Sequence, residues 1–205
     1  PFTISQPGKY SVTQDLVYNA SGPAITVAAD NVSINFHNHT LTLNDANSVG
    51  IYVKDAHEFT LENEVIQSTS STALHLANVN KASVNNIYTK SSTNGVTIEN
   101  CQDIQLFSSQ FALGGGIVIN GSSLITIDSC TFNGINSAYG FHVEGPSEEI
   151  IITNSTFNDC LSSIHAINVN GMLIDNCHLT ASPSSNLNLV QLGSQDDGYL
   201  ANNII

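Results

Sequence analysis

Two aspartates have spacing that could support chemistry. Asp128 ends the phrase ITID (125–128) and Asp175 ends MLID (172–175), with Thr153 at the matching place in IIIT (150–153) between them. If each phrase is one rung of a stack of strands, the carboxylates lie two rungs apart, about 9.6 Å at the usual strand separation. That is the wide end of the range in which one carboxyl can protonate a glycosidic oxygen while another activates water. Aspartate at the end of a strand also serves as a turn residue, which is the simpler role for both.

A second group lies on GFHVEG (140–145), where His142, with Glu144 just past it, could take part in proton exchange. His142 belongs to a row of polar residues, Tyr52, His75, Thr97, His142 and Asn168, each flanked by apolar neighbours on either side. Such a row faces solvent or a ligand, and these five are the candidate binding residues. His75 and His142 fall three rungs apart, about 14 Å, too far for a single proton relay. His37 and His39 in HNHT are separated by one residue, but no third ligand is in view, so no metal site is expected. No Cys-x-x-Cys pair occurs among Cys101, Cys130, Cys160 and Cys177, which read as small buried core residues. Gly114–Gly116 precedes a strand rather than a helix and reads as a tight corner instead of a phosphate cradle. No cofactor is implied.

The elements that would position these residues repeat along the chain. The phrases AITV (24–27), GIYV (50–53), ALHL (73–76), GVTI (95–98), GIVI (116–119), GFHV (140–143), AINV (166–169) and LVQL (189–192) recur at intervals in the low twenties. A period of that size marks a solenoid. Within each phrase the second and fourth residues are apolar, so they share one face of a strand. A second strand follows in each unit, then a corner row of Asn63, Asn86, Ser108, Ser129, Asn154, Asn176 and Asn202. Asparagine tolerates the left-handed backbone of a sharp corner, and stacked amides can bond from coil to coil. Phe111, Phe132, Phe157 and Leu179, with Leu41 and Ile66 before them, should form an internal stack.

These repeats resemble the right-handed parallel β-helix, or pectin-lyase-like, superfamily. The resemblance implies an all-β, right-handed parallel β-helix solenoid of about eight coils with an N-terminal cap. Residues 1–21 are expected to be the cap and 22–205 the coils of a single domain whose C-terminal end is open or truncated. The superfamily includes lyases, hydrolases, epimerases, tailspikes and adhesins, so its fold does not select an activity. Its uronate-active members pair acids with Arg or Lys, and this chain has no Arg and only four Lys. GFHVEG resembles the Gly-His-Gly element of polygalacturonase-like enzymes only in part, and the accompanying motifs are missing.

A formal charge of −13, from 17 acidic and 4 basic residues, argues against nucleic acid as a partner. No apolar run is long enough for a membrane-spanning helix, so no membrane insertion is expected. Loops at 133–140, 144–150 and 181–186 would project from the rod, where solenoids place binding function. The leading expectation is a non-catalytic surface, fibre or virion-type protein that presents loops for carbohydrate or protein contact. Its setting would be extracellular, at a cell or virion surface. The alternative is a carbohydrate-active enzyme: a polysaccharide hydrolase, lyase or epimerase with Asp128, Asp175, His142 and Glu144 as its candidates. Self-association, end to end or side by side, is the remaining expected contact.

Overall fold

The computed structural model describes residues 1–68, 71–90, 93–135, 139–182, 189–193 and 198–204. Parts of two expected loops, 136–138 and 183–186, lie outside the described residues. No helix occurs among those described. Short strands wind into three parallel sheets, two of nine strands and one of eight, and each strand pairs with its counterparts one coil away. The chain is thus a parallel solenoid. Alternation explains the burial: in Val32–Asn35 the pattern is strictly in-out, with Val32 and Ile34 buried and Ser33 and Asn35 facing outward.

The first sheet aligns Ile25, Ile51, Leu74, Val96, Ile117 and Phe141 in register along the interior. The next member of this row is Ile164, paired with Phe141, and not Ile167. The strand is Ser162–Ala166, so SIHA rather than AINV is the seventh phrase. The corner decides the phase. Asn168 takes φ 60° and accepts a hydrogen bond at its carbonyl from the Ser147 N–H, which ends the strand earlier than apolar content alone suggested. Asn168 therefore leaves the outward row of the first sheet, and His165 takes its place, paired with His142.

Residues 1–21, expected as a separate cap, form a coil of their own. Phe2–Ile4, Gly8–Ser11 and Leu16–Tyr18 pair in parallel with the next coil, with Phe2 opposite Ile25, Tyr10 opposite Ile34 and Leu16 opposite Leu41. Its inward positions carry half-buried Tyr10, Leu16 and Tyr18. They obscure the aliphatic phrase that marks the later coils.

The corners rest on left-handed residues. Asn63, Asn86, Ser108, Ser129, Asn154, Asn176 and Asn202 all have φ between 49° and 55°. Their amides bond between coils: Asn86 donates to Asn63 (2.8 Å), and Asn176 to Asn154 (2.7 Å). Inside the two corners, small polar residues bind the backbone. Ser155 Oγ accepts from the Cys130 N–H at 3.1 Å and donates to the Thr153 carbonyl at 2.8 Å. Ser122 does the same between Cys101 and Asn120. Cys101, Cys130 and Cys177 lie at equivalent places, in rows that also hold buried Val79 and Ile87. Further along, Phe111, Phe132 and Phe157 stack with centroids 4.9 and 4.4 Å apart, and Leu179 pairs with Phe157.

All four cysteines are free and buried. Burial pushes the Cys101 and Cys160 thiols up to about 11 and the Cys130 thiol up to about 12. In the native protein at pH 8, an aromatic disulfide reagent should titrate no thiol within minutes, and all four after denaturation. Fast native labelling of Cys130 would contradict the packing.

Glu64 occupies the same interior corner one coil before Ile87, is 1 % exposed, and has no partner for either carboxylate oxygen among the described residues. Burial pushes its carboxyl well above the usual range. The folded state therefore holds a proton that the unfolded chain releases above pH ~4.3. Stability from this group is full below that pH and falls as pH rises toward the folded value. Glu64→Ile, which extends the Ile87 row, should raise stability at pH 7 by about 1–3 kcal/mol and flatten the decline between pH 5 and 7 in urea unfolding.

Candidate functional site

The outward row of the first sheet reads Thr26, Tyr52, His75, Thr97, Val118, His142, His165 and Gln191, each paired with the next across one backbone ladder. Because the rungs are parallel and in register, side chains on successive coils project side by side at a strand separation of roughly 4.8 Å. Four of the five sequence-derived binding candidates, Tyr52, His75, Thr97 and His142, lie on this row.

Two clusters form along it. In the first, the Tyr52 and His75 rings lie 5.0 Å apart at 44°, and His75 Nε2 meets Glu99 Oε2 at 3.0 Å. In the second, His142 Nδ1 and His165 Nδ1 are 2.8 Å apart. Their ring planes differ by 15°, with centroids 4.8 Å apart. Face-to-face rings keep their atoms roughly 3.5 Å apart or more. The shorter nitrogen contact therefore means that the imidazoles meet edge to edge, nearly in one plane. Tyr139 lies almost parallel to both, with its centroid 4.4 Å from His142 and 4.5 Å from His165. Near-equal distances place the phenol ring across the pair rather than over one member. On the other ring nitrogen, His142 Nε2 meets Glu144 Oε1 at 3.2 Å.

These contacts restrict the protons. An imidazole between a carboxylate and a second imidazole donates Nε2–H to the carboxylate, which leaves Nδ1 to accept from the Nδ1–H of His165. Partial burial, and secondarily the neighbouring His142, push the His165 imidazole below its ordinary range. His142 is sheltered, with 12 % of its side chain exposed, while Glu144 is 58 % exposed and can also reach a ligand.

The other candidates lie elsewhere. Asp128 and Asp175 sit at the outer end of the second sheet on either side of Thr153. Desolvation pushes the Asp128 carboxyl up, but hydrogen bonds from Asn154, Thr153 and Ser129 outweigh it and hold the group below the usual carboxylate range. Asp128 Oδ1 accepts from Thr153 at 2.8 Å and Asn154 at 2.7 Å, and Asp175 Oδ1 accepts from Asn202 at 2.8 Å. Both carboxylates thus belong to the corner ladder. Asn168 lines a separate pocket of about 510 Å³ between the first and second sheets, with Ser123, Ser147 and Glu148. His37 contacts Ser11, and His39 contacts Asp15.

Sequence reasoning missed His165 and Tyr139. The available signal was the paired triplet Phe141-His142-Val143 and Ile164-His165-Ala166, an apolar–His–apolar phrase repeated 23 residues later, the interval that the register confirms. Tyr139 carried no such signal, since it lies on the same strand as His142 but three residues away, beyond the break in alternation where Gly140 and Phe141 are both buried. A β-carbon on Gly140 would come within 2.9 Å of both Phe157 and the Ser163 carbonyl.

Among the described residues, no group of three or more His, Cys, Asp or Glu gathers as a metal site. Nor is any helix long and apolar enough to cross a membrane.

Comparison with known proteins bears on the fold. No curated protein matches the sequence. A Parabacteroides merdae protein provisionally classed as a glycosyl hydrolase is similar in structure at 9 % identity, TM-score 0.48, over 84 % of this chain and 82 % of the other. The catalytic domain of a GH87 alpha-1,3-glucanase in complex with nigerose is similar at 9 % identity, TM-score 0.29. That match covers 97 % of this chain, which spans 59 % of the glucanase chain. Likenesses this remote carry no argument about activity. The sequence profile of the right-handed β-helix region matches residues 94–205, more than half of the chain. With its three in-register parallel sheets, the chain belongs to the right-handed β-helix family.

Proposed function

We propose that this protein is a non-catalytic β-helix that holds an extended, uncharged carbohydrate against the outer face of its first sheet. The observation that carries the reading is the register of Tyr52, His75 and Thr97, then His142 and His165, on one straight row, with Glu99 and Glu144 beside them. Aromatic and imidazole faces suit the apolar faces of sugar rings, and carboxylates accept short, strong hydrogen bonds from hydroxyls. The same carboxylates, on a chain of net charge −13, repel uronate and sulfated polymers. This setting is an extracellular or virion surface, where such polymers are met.

Both carboxylates of this face engage a histidine, and Asp128 and Asp175 are tied into the corner, which favours contact over hydrolysis. One observation favours a second reading: Glu144, His142 and His165 form a connected chain of proton-exchanging groups, as an acid–base enzyme would use.

Affinity electrophoresis through gels holding mannan, xylan, mixed-linkage glucan or polygalacturonate tests both readings. At least one neutral polymer should retard the protein, polygalacturonate should not, and Tyr52→Ala should weaken retardation by about fivefold. Retardation by none of the neutral polymers, or equal retardation of Tyr52→Ala, overturns the proposal. Release of reducing ends that disappears in Glu144→Gln would establish the enzymatic reading instead.

A further inference from the structure

His142 and His165 meet at hydrogen-bond distance with their rings nearly coplanar, an arrangement that also suits a shared metal ion. We propose that the pair is a binding site for a divalent transition-metal ion that prefers planar coordination, copper(II) or nickel(II), with both Nδ1 atoms as ligands.

Distance is the first support. Two nitrogens each about 2.0 Å from one metal and at right angles to each other are roughly 2.8 Å apart, whereas the tetrahedral angle favoured by zinc sets them roughly 3.3 Å apart. The observed Nδ1 separation is 2.8 Å. Orientation is the second. The imidazole planes differ by 15°, so their in-plane lone pairs lie near one plane, as adjacent positions of a square arrangement require.

The surroundings keep this geometry in place. Tyr139 lies flat across both rings and braces them against rotation. Glu144 Oε1 meets Nε2 of His142, the nitrogen away from the gap. Histidine ligands commonly make this outer contact to a carboxylate, which fixes the tautomer with the inner nitrogen unprotonated and strengthens it as a donor. The backbones of the two histidines are paired neighbours in one sheet, so the ligands are positioned before the metal arrives. On binding, His165 exchanges its Nδ1 proton through solvent for one on Nε2, so the ring stays a neutral imidazole; the metal takes the proton's place between the nitrogens, with water completing the coordination shell.

The remaining histidine contacts are of another kind. His37 meets Ser11, His39 meets Asp15, and His75 meets Glu99, with its ring tilted against Tyr52. Among the described residues, only His142 and His165 bring two imidazole nitrogens together. The inference rests on this geometry and holds whether or not the same face binds a glycan.

The test is titration of the full chain, free of any polyhistidine tag, with copper(II), followed by calorimetry and electron paramagnetic resonance. One equivalent should bind with a tetragonal spectrum showing two equivalent imidazole nitrogens. His142→Gln and His165→Gln should each weaken binding at least tenfold, while His75→Gln and the double variant His37→Gln/His39→Gln bind as the parent does. Nickel(II) should compete better than zinc(II) relative to their affinities for free imidazole. Circular dichroism melts of each variant show whether it is folded. For folded His142→Gln and His165→Gln, parental affinity overturns the proposal, as does a spectrum with a single nitrogen ligand in the parent. If either variant fails to fold, the parent's spectrum and the His75→Gln control still decide the outcome.

Discussion

The backbone ladder between one coil and the next places every other feature of this protein. Each strand bonds to the strand one turn away, in register and in the same direction, so a residue's neighbours are the residues about 23 positions before and after it. Ile25, Ile51 and Leu74 line up for this reason. A parallel ladder with a two-residue side-chain period permits only two assignments, inside or outside, and a slip of one residue exchanges them along the whole strand. The aliphatic interior removes that ambiguity, because only one assignment buries Val27, Val53, Leu76 and Ile98 together.

The ladder leaves the corners to be solved locally, and they are solved by conformation more than by packing. Residues with φ near 50–60° bend the chain at equivalent places in successive coils, and most are Asn, Asp or Ser. Inside the bends, Ser109, Ser122, Ser147 and Ser155 bond the adjacent backbone, and cysteines and aliphatic residues occupy the same rows. Glu64 departs from this pattern, since its carboxyl is buried in that row with no partner among the described residues. The rod accommodates such a fault because stability in a solenoid is largely a sum of nearest-neighbour terms, so a local cost stays local.

The same architecture explains the character of the outer face. Stacking at one strand separation brings like residues on neighbouring coils into direct contact. A single histidine in the repeat is a solvated polar group. Two in adjacent coils become the His142–His165 pair. Tyr139, at the start of the same strand, lies across the pair, and Glu144, two positions beyond His142, contacts it. Chemistry on this scaffold thus combines one continuous segment, 139–144, with a coincidence of register that brings His165 from the next coil.

Composition and period alone determined the class of fold, the interior rows and the left-handed corner row. These depend on alternation and on conformational preference, both local properties of the chain. Tyr52, His75, Thr97 and His142 were legible as one outward row for the same reason. Only the tertiary structure decided the phase of the seventh phrase, because AINV and SIHA alternate equally well and the choice lies with the Asn168 corner and its bond to the coil below. It also decided that residues 1–21 are a coil, since half-buried tyrosines satisfy the ladder without matching the repeat. The edge-to-edge histidines and the Tyr139 ring across them depend on side-chain angles and coil lengths in three dimensions, which no one-dimensional spacing encodes.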